Sequence, residues 1–592
     1  MPEDADTRKA GALPPYNAYA ADGDVTGDVV YVNYGIPEDY RVLDSLGISV
    51  AGKIVIARYG RSWRGIKPRL AAERGAIGCL IYSDPADDGY VQGDVMPDGK
   101  WRSEWGVQRG SVMDMPTYPG DPQTPGRPSL PGADRVPLAE VPTLQKIPVL
   151  PISYGDALPI LRNLSGVVMP RAWRGGLPIT YHAGPGPARV RMVLRSDWSV
   201  RPIVNVIGIL RGAEQPEKLV MAGGHRDAWT FGGRDPLSGA VSMLETARAL
   251  AELVKAGQRP ARSIAIASWD AEEYGLIGST EFGEQFADLL QRDLVVYLNR
   301  ESYTAGEFSS DGVHSLQPLV NEIAGNVRMP DGRRSIREAW AADAGLAAWI
   351  DTPAGRQVRM GALGSGSDYT VFLDHLGLPS LDFGFESGNG IYHSLYDTHW
   401  FFTTYGDPDF TYGERLAEAV GLFLLRMADA DVLPLDYAST AETIDRYLDE
   451  LVKEAGQRNL TVDLDAVRAA TARFGATAEA LNAEIRRILE LDSATLRQAQ
   501  DRVRRMNDLL VSTERGFLRA EGLPDRPWFQ HQVYAPGFYT GYGVKTLPGV
   551  REALERDDQR LAAAMAVSLS QGLERARATL VSAIALAATI GR

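Results

Sequence analysis

The strongest constraint on this chain is the alternation across residues 196–435, where short β-branched apolar runs give way to longer segments of helical period. Leu219-Val220-Met221-Ala222, Arg262-Ser263-Ile264-Ala265-Ile266-Ala267 and Leu294-Val295-Val296-Tyr297-Leu298 each suit a buried strand. Between the first two, Pro236 to Val254 has helical period, with Leu244, Ala247, Leu250 and Leu253 on one face. Gly275, followed by Leu276, Ile277, Phe282 and Phe286, opens a second helix. Strands separated by helices need crossover connections, so the segment predicts an α/β layer domain with a largely parallel sheet. Such sheets place their chemistry outside the carboxyl ends of the strands.

Chemically capable residues stand at those ends. The run 262–267 leads into Ser268-Trp269-Asp270-Ala271-Glu272-Glu273-Tyr274-Gly275, with two adjacent carboxylates. One neighbour of such a pair can hold a cation while the other moves a proton; a glutamate pair is also common on solvated helix faces. Strand 219–222 runs into Gly223-Gly224-His225-Arg226-Asp227, and Gly232-Gly233-Arg234-Asp235-Pro236 follows. The strand at 294–298 ends in Asn299-Arg300-Glu301, and Tyr392-His393-Ser394 lies after the Gly-rich stretch 361–366. His225, Asp235, Glu273, Glu301 and His393 thus all fall at strand–helix junctions of one domain. Nitrogen and oxygen donors without thiolate suit zinc, and a bridging carboxylate suits two ions. Two such ions activate water and polarise a carbonyl, as amide hydrolysis requires, with Glu272 left to carry the proton. Asp235 before Pro236 also suits the start of a helix, and Glu301 a solvated rim charge. The remaining histidines, His182, His314, His375, His399 and His531, have no comparable surroundings and read as surface or core residues.

A chain of 592 residues should hold several domains of about 100–200 residues each. Residues 1–195 mix short strands, such as Asp28-Val29-Val30-Tyr31-Val32 and Lys53-Ile54-Val55-Ile56-Ala57, with a Pro/Gly-rich excursion from Pro97 to about Pro142. Residues 436–592 are mainly helical, in segments 440–455, 463–490, 493–522 and 548–587, which predict a bundle or paired helices. The net charge of -14 argues against a nucleic-acid partner. The single cysteine, Cys79, sits in an apolar run and reads as an inert buried thiol. No apolar stretch is long enough to span a bilayer, and Met1-Pro2-Glu3-Asp4-Ala5-Asp6 has no signal-peptide character.

Several motifs together carry a resemblance. Gly-Gly-His-Arg-Asp at 223–227, Phe-Gly-Gly-Arg-Asp-Pro at 231–236, Ser-Trp-Asp-Ala-Glu-Glu at 268–273, Gly-Ser-Gly-Ser-Asp at 364–368, Tyr-His-Ser at 392–394 and Leu-Pro-Asp-Arg-Pro at 523–527 closely resemble the glutamate carboxypeptidase II and transferrin receptor family of zinc peptidases. The similarity runs nearly end to end. It implies an α/β zinc-peptidase sheet domain at 196–435, an inserted, β-rich protease-associated (apical) domain at 1–195, and a helical dimerisation domain at 436–592. It also implies two zinc ions and a homodimer. Asp235 would bridge the ions, with His225 and Glu301 flanking, and Glu273 and His393 completing the ligands. Glu272 would be the general base, Tyr392 the hydroxyl that supports the tetrahedral intermediate, and Asp227 the carboxylate that orients His225. The position of Glu301 is usually aspartate in the family. Thr124, Glu281 and Glu284 match a structural calcium site, although the two glutamates also suit a solvated helix face. Transferrin receptors lack most of the metal ligands kept here, which favours an enzyme over a receptor-like binding protein.

The substrate pocket departs further from the family. Arg64 matches an arginine that pairs with the substrate's terminal carboxylate, and Tyr542 matches a tyrosine of the same pocket. Gly541 stands where a lysine is expected, and Ser111 and Ser367 where asparagines are. Asp382 and Gly384 replace an arginine patch for acidic residues. The expectation is a carboxypeptidase or dipeptidase for small peptides, anchored through Arg64, without strong preference for acidic dipeptides. An aminopeptidase is the alternative, with Asp382 as a receiver for an amine. The family carries a further segment ahead of the apical domain, whereas this chain reaches that domain at Leu13-Pro14-Pro15-Tyr16. A secreted, periplasmic or upstream-anchored setting is favoured over a cytoplasmic one.

Overall fold

The computed structural model describes residues 12–345, 348–352 and 355–591; the terminal stretch Met1–Asp6 lies outside them. Two sheets and a set of helices organise these residues. The first sheet contains β1 (Gly23–Tyr31), β2 (Ile54–Arg58), β3 (Gly78–Tyr82), β4 (Val149–Ile152) and β5 (Arg189–Leu194), in the spatial order β4-β3-β2-β1-β5. Every residue of β2 and β3 is buried, as their unbroken apolar runs require of strands covered on both faces. Cys79 lies inside β3, fully buried, and burial pushes its thiol up to about 12.

The second sheet contains β6 (Val206–Leu210), β7 (Gln215–His225), β8 (Arg262–Trp269), β9 (Leu294–Asn299), β10 (Glu307–Gly312) and β11 (Ser380–Glu386), in the order β10-β11-β9-β7-β8-β6. The four central strands are parallel, and the edge strands β6 and β10 run antiparallel to their neighbours. His225 ends β7 beside Trp269, the last residue of β8, so the segments after both strands leave from one edge.

Helix α1 (Leu237–Lys255) corrects the expected face. Leu250 is buried and Leu253 partly buried as expected, but Leu244 is 67% exposed, and the buried face runs through Ser238, Gly239, Ser242, Met243 and Thr246. The hydroxyls tolerate burial because backbone carbonyls accept from them: Ser242 Oγ donates to Gly239 O, and Thr246 Oγ1 to Ser242 O and Ala417 O. Ala417 belongs to α3 (Thr411–Asp429), which packs alongside; α2 (Ile277–Gln285) follows the glutamate pair.

The carboxyl-terminal helices are α4 (Tyr437–Gln457), α5 (Asp465–Leu489), α6 (Gln500–Thr513) and α7 (Gln559–Ala587). Two of the expected helices are interrupted. The segment 493–522 is split at Ala499 and passes into a 3-10 turn at Glu514–Phe517. The segment 548–587 breaks at Asp557, whose φ is +58°, and restarts where Asp558 caps the Leu561 amide of α7. Among the described residues no helix is long and apolar enough to cross a membrane.

Candidate active site

His225 leaves β7 with its ring 1% exposed. Its Nδ1 lies 2.8 Å from the carbonyl oxygen of Asp227, which fixes the ring and leaves Nε2 directed inward without a hydrogen-bond partner. Gly224, one residue earlier, is required by a close approach: a Cβ there would lie 2.1 Å from the Arg300 carbonyl oxygen. That contact brings the Asn299-Arg300-Glu301 end of β9 alongside His225.

Asp235 lies between two imidazoles. Its Oδ1 is 3.4 Å from His225 Nε2 and its Oδ2 3.5 Å from His393 Nε2. Neither oxygen has a hydrogen-bond partner, so Asp235 is no helix cap; α1 begins after Pro236 without one. The backbone around it is held by Asp397, which accepts from the Arg234 amide at 2.5 Å and the Asp235 amide at 3.0 Å. His393, at φ +54°, closes the other side, with Nε2 3.2 Å from Glu273 Oε2 and its ring stacked on Tyr392. Donor atoms of His225, Asp235 and Glu273 all lie within 4.8 Å of one another, as do those of His225, Glu272 and Glu301.

The glutamate pair sits in the turn between β8 and α2, and Asp227 holds both members. Its carboxylate accepts from the Glu272 amide at 3.0 Å and the Glu273 amide at 3.2 Å. Asp227 therefore orients His225 chiefly through its carbonyl, and its carboxylate fixes the turn between β8 and α2. Glu272 Oε2 is 3.9 Å from His225 Nε2.

The protonation pattern follows from burial and crowding. Burial raises the Glu272 and Glu273 carboxyls well above the usual range, and neighbouring carboxylates add to it. Burial alone would depress His225, but Glu272, Asp227 and Asp235 outweigh it and raise that imidazole. Burial would raise Asp235, but the two histidines hold it far below. His393 is pushed down to about 4 by burial. Glu301 is raised by burial and then by Asp235. A chain that gathers three acids and two imidazoles with buried, unpartnered Nε2, Oδ1, Oδ2 and Glu273 Oε1 atoms has a donor set that fits cations, which would relieve the repulsion.

Arg64 stands beside this cluster, its side chain buried. Its Nη2 donates to Tyr392 Oη at 3.2 Å and Tyr542 Oη at 2.9 Å, while Nε has no partner. Tyr392 and Tyr542 hydroxyls are 3.2 Å apart, and burial raises both phenols, so they remain donors. These residues line a cavity of about 620 Å³ that extends to Ser83, Asp87 and Gln108. Ser111 supports Arg64 by its carbonyl at 3.4 Å, while its hydroxyl accepts from the Met113 amide. Ser367 accepts from Asn299 Nδ2 at 3.0 Å and lies against Glu301.

Farther off lie Thr124, Glu281 and Glu284, the residues of the expected calcium site. Glu281 accepts from the Asp121 and Ser129 amides, and Glu284 from Trp528 Nε1 at 2.8 Å. Thr124 Oγ1 and Glu284 Oε2 are buried without partners. Burial pushes Glu281 up to about 7 and Glu284 up to about 8. Oxygen atoms alone, two of them carboxylates, suit a hard cation. Sequence reasoning missed Asp397 and Asn299. The first lies four residues past His393 and the second two before Glu301, close enough to the motifs for proximity to have flagged them.

A parallel sheet that carries buried imidazoles and carboxylates at its carboxyl edge defines an α/β metallohydrolase. The description "Peptidase family M28" matches residues 205–405, "PA domain" residues 25–114, and "Transferrin receptor-like dimerisation domain" residues 462–581. A "Probable glutamate carboxypeptidase" of Arthroderma benhamiae is 41% identical over 582 residues, covering 94% of this chain and 76% of the relative. "Probable glutamate carboxypeptidase LAMP1" of Arabidopsis thaliana is 37% identical, covering 92% of this chain and 76% of that one. "Aminopeptidase NAALADL1" of Rattus norvegicus is 34% identical, covering 92% and 75%. The chain belongs to the M28 metallopeptidases of the glutamate carboxypeptidase II and transferrin receptor-like family.

Proposed function

We propose that this metallopeptidase is a two-zinc carboxypeptidase or dipeptidase acting on small peptides that present a free C-terminal carboxylate. The observation that carries it is the buried, unpartnered donor set of His225, Asp235 and Glu273, with His393 and Glu301 beside it, set next to the Arg64 guanidinium. His225 and Glu301 would hold one zinc, Glu273 and His393 the other, and Asp235 both. When bound, the zinc pair supplies an activated water and polarises the scissile carbonyl.

The chain's own residues do the rest. Glu272, held by Asp227 and raised by burial, takes the proton from the attacking water and passes it to the leaving amine. Tyr392 Oη, kept protonated, donates to the oxygen that gains charge in the tetrahedral intermediate. Arg64 pairs with the substrate carboxylate, a planar match for its guanidinium, and Tyr542 holds Arg64 in place. Thr124, Glu281 and Glu284 bind a structural calcium. The units are 1–195, 196–435 and 436–592, and the last mediates a homodimer in a secreted, periplasmic or anchored setting.

The test compares N-acetyl-Asp-Glu with neutral dipeptides, with and without chelator, in the native sequence and Arg64→Ala. Chelator should abolish turnover, and Arg64→Ala should raise KM for all peptides by roughly ten- to hundredfold, the worth of a charge-assisted hydrogen bond. Equal KM values in the two proteins would remove the carboxylate anchor. The aminopeptidase reading is favoured instead if peptides with free amines and amidated C-termini are cleaved fastest.

A further inference from the structure

A second cavity, of about 340 Å³, lies between the helices Pro37–Ser45 and Ile66–Glu73 on one side and α4 and the helix Pro548–Glu555 on the other. Its charged lining is six cations and three carboxylates, in a chain whose net charge is -14. Two of the cations are neutralised within it: Arg41 Nη2 donates to Glu38 Oε1 at 2.8 Å, and Lys545 pairs with Glu555. Two more charges are met from outside, Arg556 by Asp525 at 2.5 Å and Glu73 by Arg69 at 3.9 Å. Arg61, Arg74 and Arg458 have no ion-pair partner among the described residues. Arg61 stands over the Tyr34 ring, its Cζ 5.1 Å from the centroid, and Arg74 over Tyr40 at 4.2 Å. Arg74 Nη1 donates to Leu70 O at 3.3 Å and Arg458 Nη1 to Glu555 O at 3.5 Å. Rings and carbonyls attract a guanidinium without cancelling its charge.

Helix ends account for part of this charge. Arg74, Arg458 and Arg556 each stand just past the end of a helix, at Ile66–Glu73, α4 and Pro548–Glu555, where carbonyls carry partial negative charge. Each end is worth about half a charge, so the three offset about one and a half, and the start of the helix Pro37–Ser45 returns about half. Three unpaired guanidiniums therefore leave the hollow about two charges positive. Arg61 and Arg458 are exposed and Arg74 is half-buried, so solvent reaches them. Ile36, Pro37, Leu70 and Tyr539 complete the lining with apolar surface. An apolar floor with a few convergent polar groups suits a small molecule.

We propose that this cavity binds a small dianionic oxyanion, a phosphate or sulfate group, held by Arg61, Arg74 and Arg458. The planar fork of each guanidinium matches two oxygens of such a group, and a dianion matches the positive excess. The ligand is either the free ion or a small ester whose apolar part meets Leu70 and Tyr539. Arg61, Thr540 and Lys545 line both this cavity and the one at Arg64, so the two sites share a wall. The inference stands apart from the peptidase reading.

The test follows Tm of the full chain against inorganic phosphate and phenyl phosphate, with sodium chloride at equal ionic strength as the reference. Phosphate should raise Tm saturably, as a ligand of the folded state does, and Arg64→Ala should keep the rise. Arg74→Gln and Arg458→Gln should each raise the half-saturating concentration about tenfold, the loss of one charge-assisted hydrogen bond, and Arg458→Lys should recover part of it. Arg458 is exposed beyond the end of α4, so its variant decides the matter if Arg74→Gln fails to fold. Tighter binding of phenyl phosphate identifies an apolar ester as the ligand, and equal binding the free oxyanion. A rise no greater than that with chloride, a rise without saturation, or a saturable one that both arginine variants keep overturns the site. Loss of the rise in Arg64→Ala alone places the anion in the substrate cavity and overturns it as well.

Discussion

Replacing Glu272 by glutamine separates the two members of the glutamate pair. The change keeps the shape of the side chain and leaves the turn in place, because Asp227 grips the backbone amides of residues 272 and 273 rather than the side chain. It removes the proton acceptor and nothing else that holds His225, Asp235, Glu273 or His393. A positioned general base contributes about 10² to 10⁴ in rate, or roughly 3–5 kcal/mol at about 1.4 kcal/mol per tenfold. The kcat of Glu272→Gln should therefore fall by that factor, with KM little changed. Zinc per chain, measured by elemental analysis on the same preparations, should stay at the native value. Glu273→Gln should lose metal and activity together, since His393 Nε2 and Glu273 Oε2 are only 3.2 Å apart and share one cation in this reading. The result that refutes the assignment is loss of zinc from Glu272→Gln. Glu272 has an oxygen within 4.8 Å of donors on His225 and Glu301, so a ligand role is a definite physical alternative. Retention of native kcat would refute it from the other side and place the base elsewhere.

Asp397→Asn weakens the acceptor that the Arg234 and Asp235 amides share, and should lower zinc affinity about 10- to 100-fold in chelator competition, with little change in fold by circular dichroism. Between about pH 4.5 and about 8 the folded chain binds more protons than the unfolded chain at Glu281 and Glu284, because both folded values are raised. Their contribution to stability therefore falls as pH rises through that window. Added calcium should raise Tm more at pH 8 than at pH 5, and Glu284→Gln should abolish that difference; a calcium effect independent of pH would count against the site. On α1, Met243→Ala should cost about 2–5 kcal/mol in denaturant unfolding, while Leu244→Ser should stay within about 0.5 kcal/mol.

The strand ends were legible because each is a local signal: an apolar run followed within a few residues by a chemically capable one. His225, Glu272, Glu273 and Glu301 all stood out in this way, and the structure brings them to one edge with Asp235 and His393. The face of α1 was not legible. Its period also fits a stripe through Leu244, and only the neighbouring α3 backbone makes the side with Ser242 and Thr246 the buried one. The breaks near Ala499 and Asp557 were missed because helical period continues across them; at the second, a single left-handed residue is enough to end the helix.

By itself the sequence determined the inventory of this protein: which donors it owns, their order along the chain, the absence of thiolate ligands, and the motifs that mark its family. Only the tertiary structure decided how those donors face one another. His225 and His393 are far apart in the chain, and it is the sheet order β11-β9-β7-β8 that sets them on either side of Asp235. The same holds for charge. Arg300 and Asp382 are merely one cation and one anion in a sequence, until the fold sets Nη1 of one 3.3 Å from Oδ1 of the other with the guanidinium almost wholly buried. Electrostatic character depends on distance and solvent access, and neither is a local property of the chain.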